Sequence, residues 1–415
     1  MNTAPKVVIL GAGFAGLEVA QRLANTAFEV VLIDRQNYHT FQPLLHQVAT
    51  AELEPAQVAF PIRAGRRRAT NVRFVCAEIT AVPAKQPWVE TAVGRFAYDF
   101  LVIATGSRPT VKAVPGADRH SFPLKTLEDA IAIHRQILRC FEQALLTRDA
   151  AVQQALLTIA IVGGGATGVE LAGAMAEWIR HTLRRDYGTL NYQRIRLVLL
   201  HGGDRLLPGF HARLQRYAYD YFQRVGVEVW LQTRVSHVTA EGLTLPNGEF
   251  IPAATVIWSA GVQPQRPGMD EPSGITVLPT LQSTHNPWIY ALGDVAIAQP
   301  HVPMLAAVAV QQGRTVAHNL LHQVQGKPLR PFHYRPLGAM AILGRHAAVA
   351  QFASLTLTGF VAWVLWLAVH VALLRGIRHR LLTLLHWGLS AYRRERVGQT
   401  TTTQQPPLVS MFRTQ

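Results

Sequence analysis

Cysteine is nearly absent: Cys76 and Cys140 are the only two in 415 residues, far apart and in neither CxxC nor metal-ligand spacing. That excludes a disulfide framework and a zinc site, so no metal is expected, and it suits a reducing compartment. Acidic residues are also scarce, 25 against 40 Lys and Arg, for a formal net charge of +15. The imbalance favours an acidic partner surface, either anionic lipid or nucleic acid. The opening Met1-Asn2-Thr3-Ala4-Pro5-Lys6 runs into the first apolar strand without a signal-peptide pattern, which gives the expectation of a cytoplasmic protein.

Residues 355–374 contain no Asp, Glu, Lys or Arg, yet include Trp363 and Trp366. That run reaches the length of a bilayer crossing. Gly359, His370 and the following Arg375, Arg378 and Arg380 argue instead for helices lying in the membrane interface. A true span and a buried core helix are the alternatives. A shorter stripe, 381–392, carries Trp387 and is followed by Arg393, Arg394 and Arg396. Basic residues beside an apolar stretch fit a lipid surface better than DNA, so no nucleic-acid partner is expected. A second cluster, Arg63, Arg66, Arg67, Arg68 and Arg73, adds to the same basic surface, with a solvated basic face as its alternative reading.

What the chain does contain is one nucleotide-cradling pattern twice, about 150 residues apart. Val7-Val8-Ile9-Leu10 leads into Gly11-Ala12-Gly13-Phe14-Ala15-Gly16, and Ile159-Ala160-Ile161-Val162 into Gly163-Gly164-Gly165-Ala166-Thr167-Gly168. In Gly-x-Gly-x-x-Gly the first glycine makes the bend and the second admits a pyrophosphate. The third lets helix pack on strand, and the helix N-terminus faces the phosphate charge. One such loop is a weak signal. Two, each between a strand and a helix, point to two dinucleotides on one chain and to electron traffic between them.

Glu29-Val30-Val31-Leu32-Ile33-Asp34 reads as the next parallel strand, and Asp34 falls where a dinucleotide fold places its ribose-binding carboxylate. A strand-end Asp also serves as a turn or cap; after this loop the ribose role is the one expected. Tyr98 to Gly106 is a further apolar strand ending Ala104-Thr105-Gly106, echoed by Ser259-Ala260-Gly261 in the second half. Ile289-Tyr290-Ala291-Leu292-Gly293-Asp294 then precedes a helix through Gln311-Gln312-Gly313. The class expected is α/β: two Rossmann-like dinucleotide-binding domains, the second inserted in the first, plus a C-terminal membrane-associating helical region. The boundaries expected are 1–122 and 276–335 for the first domain, 123–157 for a helical bridge and 158–275 for the second domain. Residues 336–396 would form the membrane-anchoring region and 397–415 a disordered tail.

These residues resemble a known family. The chain is similar to the type II NADH dehydrogenases, single-subunit FAD-dependent NADH:quinone oxidoreductases of the pyridine nucleotide-disulfide oxidoreductase-like superfamily. The resemblance covers nearly all of residues 5–396. It is carried by Asp34-Arg35-Gln36-Asn37-Tyr38-His39-Thr40-Phe41-Gln42-Pro43-Leu44-Leu45 with Gln47-Val48-Ala49-Thr50, by Gly168-Val169-Glu170-Leu171-Ala172-Gly173, and by Gly338-Ala339-Met340-Ala341-Ile342-Leu343-Gly344-Arg345. The apolar segment beginning Gly359-Phe360-Val361-Ala362-Trp363 fits that family's membrane-contacting tail.

The resemblance implies FAD on Gly11, Gly13, Phe14, Ala15, Gly16, Asp34, Arg35, Thr105, Gly106, Gly293, Asp294 and Ala306. It implies a nicotinamide nucleotide, NADH or NADPH, on Gly163, Gly165, Ala166, Thr167, Gly168, His201 and Gly261. Glu170 matches an acid with positioning and proton-handling roles, though it could serve merely to favour the first helical turn. The flavin would carry hydride chemistry, with backbone N–H groups after Leu305 facing its developing charge. The acceptor implied is a membrane quinone near Ala307, Gln311 and His46, in a respiratory electron-transport role without proton pumping. The protein would sit peripherally on the cytoplasmic face of the cell membrane, against its lipid surface; homodimers are common in the family.

Two departures stand out. The second ribose-reading strand, Arg196-Leu197-Val198-Leu199-Leu200, ends in His201 where NADH-specific members carry a carboxylate, and Arg205 lies close behind. NADPH use is therefore open. Ala307 replaces a glutamine that some members place in the quinone pocket, and His46 stands where relatives often have Tyr. With no cysteine after Cys140, a sulfide:quinone oxidoreductase or disulfide reductase does not fit. A reductase of a protein electron carrier, or a basic NAD(H)-binding redox sensor, remains as an alternative that leaves the apolar C-terminus unexplained.

Overall fold

The computed structural model describes residues 4–64, 69–83, 85–266, 268 and 274–393, side chains past 388 excepted. Arg66, Arg67, Arg68, Arg394, Arg396 and the 397–415 tail lie outside the described residues. The chain divides into two compact units. The first joins 1–40, 59–108 and 262–337; the second joins 41–58, 109–261 and 338–415.

The first unit is built on a six-stranded sheet in the order Gln282–Ser283, Asn286–Ala291, Phe100–Ile103, Lys6–Leu10, Glu29–Asp34, Val72–Cys76. All pairings but the first are parallel. Parallel strands need crossover helices on both faces, so their residues read as continuous apolar runs rather than alternating ones. Val7, Val8, Ile9 and Leu10 accordingly have no exposed surface. Helix Phe14–Arg22 packs on helix Ala306–Val324, where a Cβ at Gly313 would press on the Ala15 carbonyl and the Glu18 side chain. Glu18 accepts from Arg22 and Arg314 beside that contact.

The second unit repeats the design with a five-stranded, all-parallel sheet: Phe122–Pro123, Thr255–Trp258, Thr158–Val162, Arg196–Leu200, Glu228–Trp230. The helical segment before it is two helices, Leu127–Leu146 and Ala150–Leu156, with Asp149 capping the second. Thr126 and Asp129 form a capping box on the first, each side chain taking the other's backbone N–H at 3.1 and 2.8 Å. Residues 338–358 form an antiparallel sheet of Ala339–Gly344, Ala347–Phe352 and Leu355–Thr358.

The long uncharged run is therefore not one element. Leu355–Thr358 is a strand, Gly359–Leu373 a helix of 15 residues, and Ile377–Arg393 a second helix. At about 1.5 Å per residue the first helix spans roughly 22 Å, short of a ~30 Å hydrocarbon core. Among the described residues no helix is long and apolar enough to cross a membrane. The helix pair has two faces. Ala362, Trp366, His370 and Trp387 turn inward, whereas Phe360, Val361, Val364, Leu373, Ile377, Leu381, Leu384 and Leu385 are exposed.

Candidate active site

Each glycine cradle starts with a backbone only glycine adopts readily. Gly11 has φ +96° and Gly163 +120°, and a Cβ on either would collide with the neighbouring strand end, at Ala104–Thr105 and Ser259–Ala260 respectively. A Cβ at Gly16 would land on the Gly11 carbonyl, and one at Gly168 on the Gly163 carbonyl. The middle glycines differ in kind: nothing lies within 4 Å of a Cβ at Gly13 or Gly165. That open space, at a helix N-terminus with no side-chain cap, is where a pyrophosphate fits.

In the first unit Asp34 ends its strand with both carboxylate oxygens anchored. Oδ2 accepts from Ala12 N–H at 2.6 Å and Oδ1 from Gln36 N–H at 2.8 Å. Burial pushes its carboxyl above the ordinary range against those two bonds. Arg35 is exposed beside it, and Phe14 stands edge-on to the His39 ring, centroids 4.8 Å apart. Thr105 donates to the Gln265 carbonyl, and Gln265 N–H returns to Gly106 O at 2.9 Å. Asp294 accepts from Ser107, and Gly293 N–H is held by Gln312 Oε1 at 2.6 Å. Gln312 is fully buried, so its bond fixes the Gly293-Asp294 turn from behind. A small cleft of about 50 Å³ is lined by residues that include Gly293, Asp294, His301, Leu305 and Val308.

Helix Ala306–Val324 starts at this cleft with an uncapped N-terminus, so Ala306 and Ala307 present backbone N–H groups toward it. Gln311, one turn on, does not open into space. It donates from Nε2 to Arg335 O and accepts Arg335 N–H at Oε1, both at 3.0 Å. The residues expected from the sequence to hold FAD thus all fall in this unit, as do Ser107, Gln265 and Gln312, which bond to Asp294, Thr105 and Gly293 respectively.

In the second unit Ala166 and Thr167 open helix Ala166–Trp178, both exposed, and Gly261 accepts Thr110 N–H at 3.2 Å. His201 ends the second strand, and its Nδ1 accepts Gly164 N–H at 3.2 Å. Burial pulls this ring below the ordinary histidine range, with the Arg205 backbone and Asp204 opposing.

Glu170 lies one turn into the same helix, which runs directly against strand Ala339–Gly344: a Cβ at Gly173 would meet the Leu343 carbonyl. Glu170 is buried, and its Oε1 accepts from Ile342 N–H at 3.3 Å and from the Trp366 indole N–H at 3.2 Å. His46 Nδ1 stands 3.8 Å from Oε2. Burial outweighs both donors and lifts the Glu170 carboxyl to about 8. With Oε1 taken by two N–H groups, Oε2 is the oxygen left facing His46.

The cluster extends through the C-terminal helices. His370 stacks on Trp366 with centroids 3.9 Å apart and donates from Nδ1 to the Trp366 carbonyl at 2.8 Å. Burial pulls His370 down to about 4, so that ring is neutral. Trp387 donates to Gln47 Oε1 at 3.0 Å, and Gln57 meets His386 at 2.8 Å. Trp366 and Trp387 are thus inward-facing parts of the site wall, a role the apolar run did not reveal. Two pairs at helical spacing on different faces, 366/370 against 360/364, were the sequence signal for Trp366.

Comparison with known proteins gives the family and the fold. The family model for pyridine nucleotide-disulphide oxidoreductases matches residues 5–313. A type II NADH:quinone oxidoreductase (Ndh) of Mycobacterium tuberculosis is 33% identical, over 96% of this chain and 90% of its own length. Among solved structures, Plasmodium falciparum NDH2 in complex with NADH superposes with a TM-score of 0.87 at 19% identity, covering 95% of this chain and all of that one. The sulfide:quinone oxidoreductase of Aquifex aeolicus shares the fold at a TM-score of 0.72 and 18% identity, over 97% of this chain and 100% of its own.

Proposed function

Because the chain belongs to the pyridine nucleotide-disulphide oxidoreductases, and among them to the type II NADH:quinone oxidoreductases, we propose that it passes reducing equivalents from a nicotinamide nucleotide through FAD to a membrane quinone. The observation that carries this reading is the pair of complete cradles, one per unit, each with an open middle glycine at a helix N-terminus. A protein binding one nucleotide would need one.

FAD would supply the two-electron chemistry, taking hydride from the nicotinamide and reducing the quinone. The residues of the first unit bind and orient it. Gly11, Gly13 and Gly16 shape the pyrophosphate cradle, Asp34 offers anchored oxygens to a ribose, and Asp294 is held for the ribityl chain by Ser107. The uncapped start of helix Ala306–Val324 offers positive backbone charge where a reduced, anionic ring needs it. In the second unit Gly163, Gly165 and Gly168 shape the nicotinamide-nucleotide cradle.

Reducing a quinone to a quinol consumes two protons. Glu170, its carboxyl lifted to about 8 by burial, is the acid to which we assign one of them, carried on Oε2, with His46 at 3.8 Å as its exchange partner. We place the protein on the cytoplasmic face of the membrane, resting on lipid through the exposed side of helices Gly359–Leu373 and Ile377–Arg393. What supports this is an apolar stripe at 377, 381, 384 and 385 beside Arg375, Arg378 and Arg380.

The test is steady-state oxidation of NADH by the FAD-loaded protein with and without a short-chain quinone. Quinone-dependent turnover is expected. Flavin that NADH reduces but no quinone reoxidises would remove the acceptor assignment and favour a protein electron carrier.

A further inference from the structure

Among the positions at which the two cradles differ, the end of the next strand bears on which nucleotide the second accepts. In the first, the residue ending the second strand is Asp34, whose Oδ2 takes the N–H of Ala12, the residue after the first glycine. In the second, the corresponding residue is His201, whose Nδ1 takes the N–H of Gly164, again the residue after the first glycine. The bracing bond survives; the negative charge does not.

That charge is what a dinucleotide fold uses to read the adenosine ribose. A carboxylate there bonds the 2′- and 3′-hydroxyls and repels a 2′-phosphate, whereas a nearby arginine accommodates one. Three backbone bonds of 2.8 Å tie the loop after His201 to the neighbouring segment: His201 N–H to Trp230 O, Thr233 N–H to His201 O, and Gln232 N–H to Gly203 O. They carry Arg234 across Gly202, where its Cγ and Nε lie 3.1 and 3.5 Å from the place a Cβ would take. A side chain at 202 would push Arg234 away.

Arg234 is exposed, and among the described residues it forms no ion pair. Arg205 lies in the same loop, 3.5 Å from Asp204, with side chains 58% and 71% exposed. An exposed pair of that kind is weak and screened by solvent, so Asp204 does not hold Arg205 back from a phosphate dianion. Gly203 packs closely against the His201 ring, since a Cβ there would fall 2.8 Å from Nε2.

We propose that the second cradle carries a 2′-phosphate subsite, formed by Arg234 with Arg205 beside the uncharged strand end at His201, so that NADPH is a substrate of this chain. The inference rests on the nicotinamide-nucleotide reading of that cradle, and not on the identity of the acceptor. The redox balance is that of NADH: NADPH gives up hydride to the flavin and leaves as NADP⁺, and quinone takes the electrons.

Calorimetric titration of the FAD-loaded full-length protein with adenosine 2′,5′-bisphosphate and with 5′-AMP tests the subsite without any turnover. The bisphosphate is expected to bind at least ten-fold tighter at low salt, with an advantage that shrinks as salt rises. Arg234→Ala should cut the advantage about ten-fold, and His201→Glu should reverse it while keeping an acceptor for Gly164 N–H. Equal affinity of the two probes in the wild type would overturn the proposal, as would an advantage unmoved by Arg234→Ala. A missing quinone turnover would instead sink the acceptor assignment and leave this binding ratio as it is.

Discussion

Replacing Glu170 by Gln keeps the shape of a protonated acid and removes only its ability to ionise. The geometry fixes what should follow. The carboxyl is lifted from 4.5 to about 8 in the folded protein, burial being the main cause. A raised folded-state value means that the native state binds the proton more tightly than the unfolded chain does. Its stabilising effect is complete below about pH 4.5 and is lost progressively as pH rises toward 8. At ~1.4 kcal/mol per pH unit, the wild type should lose roughly 5 kcal/mol against Glu170→Gln across that window. Above pH 8 the gap should stay constant. For a chain of this size each kcal/mol moves the melting temperature by about 2 °C or less, so the expected relative shift is up to about 10 °C. Thermal melts of both FAD-loaded proteins from pH 5 to 9 measure it. Parallel curves across the window would refute the argument: Glu170 would then titrate as an ordinary carboxyl, and the proton on Oε2 at neutral pH would be fiction.

Three further perturbations probe other parts. Trp366→Phe removes an N–H that lowers the Glu170 carboxyl, so the alkaline end of the wild-type stability window should move up in the same melts. It should also move any basic limb of the quinone-reductase pH profile the same way. Gly16→Ala puts a methyl group onto the Gly11 carbonyl, and purified protein should lose most of its bound flavin absorbance while the second cradle still retains nucleotide. Replacing Leu381, Leu384 and Leu385 together by Ser strips three of the four exposed large apolar side chains described on the last helix. Co-sedimentation with anionic vesicles should fall several-fold, with soluble-quinone turnover maintained; unchanged sedimentation would place the lipid contact elsewhere.

Legibility of the sequence followed the range of the interactions. Both cradles were readable because a Gly-x-Gly-x-x-Gly turn is local: strand, bend and helix cap lie within about ten residues, and each glycine answers to a backbone only a few positions away. Asp34 was readable for the same reason, as the end of the next strand. In the run at 355–374 the absence of charge was legible, but not the division into a strand followed by a short helix. Hydropathy counts charge and greasiness, and it is blind to the backbone pairing that makes Leu355–Thr358 the edge of an antiparallel sheet. The partners of Glu170 were invisible. Ile342 and Trp366 lie 172 and 196 residues away, and no periodicity links them to the helix they meet.

His201 shows both sides of that limit at one position. Its spacing after the second cradle marked it as the ribose-reading residue, and its side chain marked a missing carboxylate. The sequence therefore pointed to Arg205, the nearest cation along the chain. The structure adds Arg234, which is 33 residues from His201 but is brought to the same loop by three backbone bonds between parallel neighbours. In a parallel sheet the residues at the ends of adjacent strands are necessarily far apart in sequence, because a crossover helix separates them. A nucleotide that binds across strand ends is thus read by residues that no local pattern can group. If Arg234 rather than His201 governs the preference for a 2′-phosphate, the two single substitutions should separate. Arg234→Ala would weaken adenosine 2′,5′-bisphosphate alone, whereas His201→Ala, which frees Gly164 N–H, would weaken both probes together.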